Sequence, residues 1–433
     1  LYNIHRLNTS PCRQFLHRFY TSCAAGRIHP AAAAKKAHKG TEKTQLTLDR
    51  YIEYVVKYLH VKRCVMRQNR ARCGMLKVSA VICELNPFHE GHRYIFERAH
   101  EESDVLIAVM SGNFVQRGEC AIYNKYARAD SAIDGGADIV VELPFPYSSA
   151  SAEFFAAAGV KLCEAAGADS LYFGSECADG TMLRKAAEVL DSSDPKGAGR
   201  AAERREECLR LSGINFPESI YSAPNDILAA EYYRNASIEC RPIKRILTEG
   251  ASEKRRLILD KVRRGESACA PSGARTVGPE KLTAFEFCNF RRHSVSTDFA
   301  EGGGGVARRL QKAALSVNDS EKWMPLAATK QYTNARLRRC ALFEVTATTA
   351  EMLRAEPKYI KILAFNRTGR KYLSFMKGVS RLPVITNPAE GHRLTGDALA
   401  AYAFAEDADR LFSLIEGSDD PAVYAKARPV IIE

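Results

Sequence analysis

The first apolar residues to organise the chain come in unbroken runs rather than in alternation with polar ones. Val78–Cys83 and Val105–Met110 place hydrophobic or small side chains at nearly every position, the pattern of strands covered on both faces. Each run gives way to a loop and then to helical spacing, from Arg93 to about Glu101 and again over Lys125–Gly135. Ile139–Leu143 repeats the strand pattern, Ala152–Ala166 the helical one, and Ser170–Phe173 reads as a fourth strand. Strands alternating with helices predict a doubly wound parallel sheet of the Rossmann-like α/β type, with ligands at the carboxyl ends of its strands. Beyond residue 256 the spacing is helical, over Arg255–Arg264, Val306–Leu315 and Asn334–Thr346, with Gly302–Gly305 and Gly378–Pro383 as punctuation. The expected organisation is an α/β domain over 75–255 followed by a mainly helical domain over 256–433.

Charge divides the chain along similar lines. Its net charge is +12, and residues 1–74 alone hold 15 basic and 3 acidic side chains. The remainder is therefore neutral overall, but 75–255 holds 20 basic against 28 acidic residues and 256–381 holds 24 against 11. A neutral body with one basic half predicts a polyanion-binding surface on that half, or else a solvated basic helix face. No apolar run reaches the roughly 18–20 residues of a membrane span, so no membrane association is expected. The 13 cysteines include no Cys-x-x-Cys pair, which excludes zinc ribbons and thioredoxin-type motifs and fits buried thiols in a reducing cytoplasm. Residues 1–41 carry seven Lys/Arg and no acidic residue, a composition shared with transit peptides. Because Met75 opens a clean hydrophobic strand that runs to Cys83, residues 1–74 are expected to be a poorly ordered basic extension or sequence upstream of the native start.

Candidate chemistry sits where the first strand feeds the first helix. There the chain reads Glu84-Leu-Asn-Pro-Phe-His-Glu-Gly-His92. Two imidazoles beside the free N–H groups of a helix start suit a phosphate, whose oxygens gain charge in a transition state. A zinc protease would need its histidines four residues apart on one helix, whereas His89 and His92 are three apart. The bland reading is a pair of histidines satisfied within the loop. On the basic half, Thr329–Arg339 sets Arg336 and Arg339 about one turn apart, with Lys330 and Tyr332 nearby, a mixture suited to an RNA backbone and an unstacked base or, alternatively, to capping a helix.

These segments together resemble a known family. The stretch Glu84–His92, with Met110-Ser-Gly-Asn-Phe-Val-Gln-Arg-Gly-Glu119, Val141-Glu-Leu-Pro144, Phe173-Gly-Ser-Glu176, Pro224-Asn-Asp-Ile-Leu228, Ile243-Lys-Arg245, Thr329-Lys-Gln-Tyr-Thr333 and Tyr359-Ile-Lys-Ile-Leu-Ala-Phe-Asn366, is similar to the bacterial tRNA(Met) cytidine acetate ligases. The resemblance implies a nucleotidyltransferase-like domain over 75–255 and a tRNA-binding domain over 256–433. It implies activation of acetate by ATP, with Mg²⁺ as a possible companion of the triphosphate, and transfer of acetyl to the wobble cytidine of elongator tRNA(Met). His89 and His92 take the catalytic positions. The ATP-binding stretch falls on Ile82, Glu84, Asn86, Pro87, Phe88, His89, Gly91, His92 and Ile95, and further nucleotide contacts fall on Gly174, Asn225 and Arg245. Lys330, Tyr332, Arg336 and Arg339 are the expected tRNA contacts; no metal ligands and no stable protein partner are implied. The segment between Arg245 and Arg255 is shorter than the family pattern, with Gly250 and Lys254 in place of the usual Ser and Ile. That leaves two other readings open: a degenerate member that binds tRNA without acetylating it, and an adenylyltransferase that makes a small cofactor.

Overall fold

The computed structural model describes residues 76–433 except 193–200, 247–250, 265–269, 297, 304 and 330. The extension 1–74 and Lys330 therefore lie outside the described residues. Strand β1, Val78–Cys83, is buried throughout, and its side chains divide between two cores: Val78, Ala80 and Ile82 join one, Val81 and Cys83 the other. Strand β2, Val105–Ser111, divides in the same way, with Val105, Ile107 and Val109 opposite Leu106, Ala108 and Met110. A strand covered on both sides has no wet face to encode, which is why its sequence does not alternate.

Strands β3 (Ile139–Leu143), β4 (Ser170–Ser175) and β5 (Glu239–Lys244) complete a parallel sheet in the order β3-β2-β1-β4-β5. Helices α1 (Glu90–His100) and α2 (Lys125–Asp134) cover one face through Phe96, Ala99, Ala129, Ala132 and Ile133. Helices α3 (Ala152–Ala165) and α4 (Pro224–Asn235) cover the other through Phe155, Val160, Ala229 and Tyr232. The sheet grows outward in both directions from β1, so the carboxyl ends of β1 and β4 frame the crevice in which such folds hold ligands.

The residue-255 boundary is not an edge of this sheet. Ile360–Phe365 (β6), from the half expected to be mainly helical, pairs antiparallel with β3, and Val384–Ile385 (β7) and Val430–Ile431 (β8) each pair with β6 in parallel. The six residues of β6 are all buried, another two-sided strand without alternation. The rest of the half is helical. In sequence, α5 (Ala251–Arg263), α6 (Glu280–Arg292), α7 (Val306–Ser316), α8 (Ser320–Ala327), α9 (Asn334–Val345) and α10 (Gly396–Glu416) are its longer elements there, together with Arg367–Val379. Phe290, Leu310, Trp323 and Leu337 bring α6 to α9 into one core, in which the Trp323 indole donates to the Leu310 carbonyl at 2.8 Å.

Beyond the pairing of β6 with β3, two further features help to bind the halves together. A short hairpin pairs Phe114–Val115 with Glu119–Cys120, and its tip residue Gly118 has φ +71. A Cβ there would lie 2.5 Å from the Arg339 backbone nitrogen, so only glycine lets the tip seat on α9. Deeper, Lys125 is fully buried and its ammonium donates to Glu142 at 2.7 Å and to Asp409 on α10. Lys361 of β6 approaches Glu142 at 3.4 Å, and Asn113 donates to Asp409 at 2.9 Å.

Two cations and two carboxylates thus balance inside the protein, and removing one leaves a buried charge uncompensated. Lys125→Met is expected to lower the unfolding free energy by about 3–5 kcal/mol, read from guanidinium denaturation. A loss under about 1 kcal/mol, the scale of an exposed pair, would contradict this account of the core.

Candidate active site

Beyond β1 the chain turns through Leu85, buried and at φ +49, and then through Asn86. Both are held from outside the loop. The guanidinium of Arg128, 1% exposed, donates to the carbonyl oxygens of Glu84 (2.5 Å), Tyr123 (2.9 Å) and Gly112, joining the ends of β1 and β2. Asn86 Oδ1 accepts the Ile122 N–H at 2.8 Å, and Arg255 donates to the Asn86 carbonyl at 2.6 Å. The Asn86 Nδ2, though buried, has no partner among the described residues.

His89 is the N-cap of α1. Its Nδ1 accepts the Gly91 N–H at 3.0 Å, and His92 Nδ1 accepts the His89 N–H at 3.2 Å, closing a capping box. The rings stack with centroids 3.8 Å apart. Because each Nδ1 is an acceptor, each neutral ring carries its proton on Nε2, opposite the backbone contact. Burial and the nearby charges of Lys254 and Arg245 lower the His89 pKa to about 4. Burial, then His89 and those same cations, holds His92 well below the ordinary histidine value. At neutral pH the pair is two uncharged N–H donors.

A cleft of about 410 Å³ opens beside them. Its walls include ten of the expected nucleotide residues: Ile82, Glu84, Asn86, His89, Gly91, His92, Ile95, Gly174, Asn225 and Arg245. Pro87 and Phe88 are not on its walls. The Phe88 ring packs on Phe96 at 5.9 Å and against Gly135, where a Cβ would fall 2.2 Å from it, and it backs His92 at 5.8 Å. Its apolar ring is satisfied in the core, and it supports the site from behind.

Three further groups belong to the site. Glu176 Oε1 accepts from both Asn225 Nδ2 (2.7 Å) and Arg245 Nη1 (2.8 Å), while Oε2 accepts the Asp226 N–H at 3.1 Å. One carboxylate thereby sets two cleft residues that lie 20 positions apart in sequence. Asn225 is in the first turn of α4, whose N-cap is Ala223, so its side chain is not a cap. Gln116 and Arg117 from the hairpin, and Arg255 from α5, also line the cleft. Glu176 and the hairpin pair lie in blocks that carry the family resemblance, but nothing in their spacing tells that they converge.

The expected tRNA contacts are more occupied than their sequence implies. Arg336 and Arg339 both pair with Glu301, at 3.2 and 2.8 Å, and the Arg339 side chain is only 13% exposed. Arg338 pairs with Glu119, and the Arg336 guanidinium lies over the Tyr332 ring, 5.5 Å from its centroid.

A parallel sheet with a switch point, a His-x-Gly-His turn and a cationic cleft define a nucleotidyl transferase. The profile of the HIGH Nucleotidyl Transferase family matches residues 76–259 and 273–422. A tRNA(Met) cytidine acetate ligase of Listeria monocytogenes is 33% identical over 353 residues, covering 72% of this chain and 89% of the relative. Another, from Syntrophotalea carbinolica, is 29% identical over 356 residues and covers 72% and 85%. The crystal structure of Thermotoga maritima TmcAL bound with alpha-thio ATP matches with a TM-score of 0.74 and 26% identity, covering 82% of this chain and 99% of that one. The chain belongs to the HIGH nucleotidyl transferase family and, within it, to the enzymes called tRNA(Met) cytidine acetate ligases.

The histidines' state has a measurable sign. Their folded pKa values lie below the unfolded value near 6.5, so the unfolded chain takes up protons first on acidification. Their contribution to stability is complete above about pH 6.5 and declines toward pH 4. Nitrogen-15 NMR of the free protein at pH 6 is expected to find both rings neutral and protonated at Nε2. Titration of either ring near pH 6.5 would overturn this.

Proposed function

We propose that the enzyme activates acetate with ATP as acetyl-adenylate and then acetylates N4 of the wobble cytidine, position 34, of elongator tRNA(Met). The observation that carries this reading is the paired neutral imidazoles at the start of α1, their Nε2–H groups accompanied by Arg245, Lys254 and Arg255. In the first step an acetate oxygen attacks the α-phosphorus, and the bond to pyrophosphate breaks. Such a displacement requires no protein nucleophile; it requires positioned donors and cations where charge grows. The unpartnered Asn86 Nδ2 supports a polar ligand in this cleft.

Among the described residues no three His, Cys, Asp or Glu side chains gather to cage a metal. A Mg²⁺ ion used in the reaction would arrive on the phosphate oxygens and water rather than in a protein cage. Arg255 reaches the cleft and bonds Asn86 although the segment leading to it is short, which favours an active enzyme over a tRNA binder. ATP and tRNA as substrates imply a cytoplasmic site of action. Among the described residues no helix is long and apolar enough to cross a membrane.

Acetate-dependent exchange of pyrophosphate into ATP tests the first step. Wild type is expected to exchange only with acetate present, and His92→Ala to lose about 10²–10³-fold, the scale of one oxyanion-type donor. Exchange without acetate, or an undiminished variant, would defeat the reading.

The same reading assigns adenylation to residues 75–255 and tRNA binding chiefly to the basic 256–381 segment. Arg336 and Arg338 are the more exposed of the clustered arginines, at 33% and 42%. Replacing both should weaken tRNA binding and reduce its log–log salt slope by roughly 0.7–0.9 for each phosphate that is no longer neutralised. An unchanged slope in a protein starting at Met75 would move the tRNA surface elsewhere.

A further inference from the structure

The second step of that reaction needs a proton acceptor, and the geometry identifies one that the histidines cannot replace. An amine that attacks an acyl-adenylate must shed a proton as its bond to carbon forms. Both imidazoles have Nδ1 occupied by a backbone N–H, at 3.0 and 3.2 Å, so what they turn to the cleft is a donor. Neither is placed to accept a proton. Of the described residues lining the cleft, Glu84 is the only carboxylate; apart from the two imidazoles, the other titratable groups are a thiol, phenols and cations.

Glu84 is also built to stay in place. It follows directly on β1 at the switch point, and its Oε1 accepts the Gln116 N–H at 2.7 Å. Among the described residues its Oε2 has no hydrogen-bond partner. Its backbone is tied as well, since Arg128 donates to its carbonyl at 2.5 Å.

We propose that Glu84 is the general base of the acyl-transfer step, taking through Oε2 the proton released by the exocyclic amine of cytidine. In that step the bond from nitrogen to the acetyl carbon forms. The bond from the acetyl carbon to the phosphate oxygen breaks, and AMP departs with its electron pair. The amine proton moves to Glu84 and from there to water. The surroundings suit the task. Burial raises the Glu84 pKa above the ordinary carboxylate value, opposed by the Gln116 N–H and by Arg255 of α5, Arg128 of α2 and Arg117 of the hairpin. A raised pKa makes the carboxylate a better base. Cys83 and Tyr232, the neighbours on β1 and α4, are buried with pKa values pushed upward, so both are neutral.

This inference rests on the acetyl-transfer reading, and the test separates the two. Synthetic acetyl-adenylate and tRNA are mixed with excess enzyme in single turnover, while acetate-dependent pyrophosphate exchange is measured in parallel. Glu84→Gln keeps an oxygen to accept the Gln116 N–H but cannot take up a proton. It should slow transfer by about 10²–10⁴-fold, the range of general-base catalysis. Because Glu84 also lines the nucleotide cleft, the quantity read is the loss in transfer beyond any loss in exchange by the same variant. Wild-type transfer should rise tenfold per pH unit below the Glu84 pKa, a limb that Glu84→Gln lacks and Glu84→Asp retains at a lower rate. Transfer by Glu84→Gln at the wild-type rate, or an acid limb that survives in it, would overturn the proposal and assign the proton to the departing phosphate. Absence of acetate-dependent exchange in the wild type would instead overturn the functional reading beneath it. If Glu84→Gln does not fold, the wild-type limb and the Glu84→Asp rate decide the matter.

Discussion

Helix α2 buries two cations one turn apart, and much of the molecule is arranged to make that tolerable. Lys125 and Arg128 are 0% and 1% exposed. A buried charge is costly unless paired and fully hydrogen-bonded. Lys125 is answered by Glu142 of β3 and Asp409 of α10, which draws the far end of the chain onto the first sheet strands. Arg128 is answered by three carbonyl oxygens at the ends of β1, β2 and the hairpin region. Those carbonyls belong to the loops that form the cleft. The same helix therefore holds the two halves together and sets the floor of the site.

On that floor the electrostatics are divided between uncharged donors and fixed cations. Protonated histidines would add charge, but they would face Arg245 and Lys254 in a poorly solvated pocket, and both effects press them toward neutrality. The cations are themselves restrained: Arg245 by Glu176 and Arg255 by the Asn86 carbonyl. Donors held in this way need little reorganisation when an anion arrives or develops.

The basic half has a different character from its net charge. Many of its cations are paired within the chain, Arg336 and Arg339 with Glu301, Arg263 with Glu280, and Arg338 with Glu119. Long-range attraction to a polyanion depends on the excess, which remains. Close contacts depend on which guanidinium groups keep unused donors, and a singly paired arginine keeps several.

The sequence by itself determined the strands of the sheet's centre, with β3 read to the residue and β1 to its carboxyl end, because strands covered on both faces leave short, unbroken apolar runs. It also determined that His89 and His92 open a helix beside a strand end, since those signals lie within a few residues of one another, and the family, since its blocks recur in order from Glu84 to Asn366. The tertiary structure decided the rest. It put Ile360–Phe365 into the sheet against Ile139–Val141, turned Phe88 away from the cleft onto Gly135, and let Glu176 draw Asn225 and Arg245 together. It also neutralised the imidazoles and occupied the arginines of α9. The reason is physical: periodicity and capping are settled by neighbours along the chain, whereas burial, ion pairing and proton affinity are settled by residues brought close only when the chain has folded.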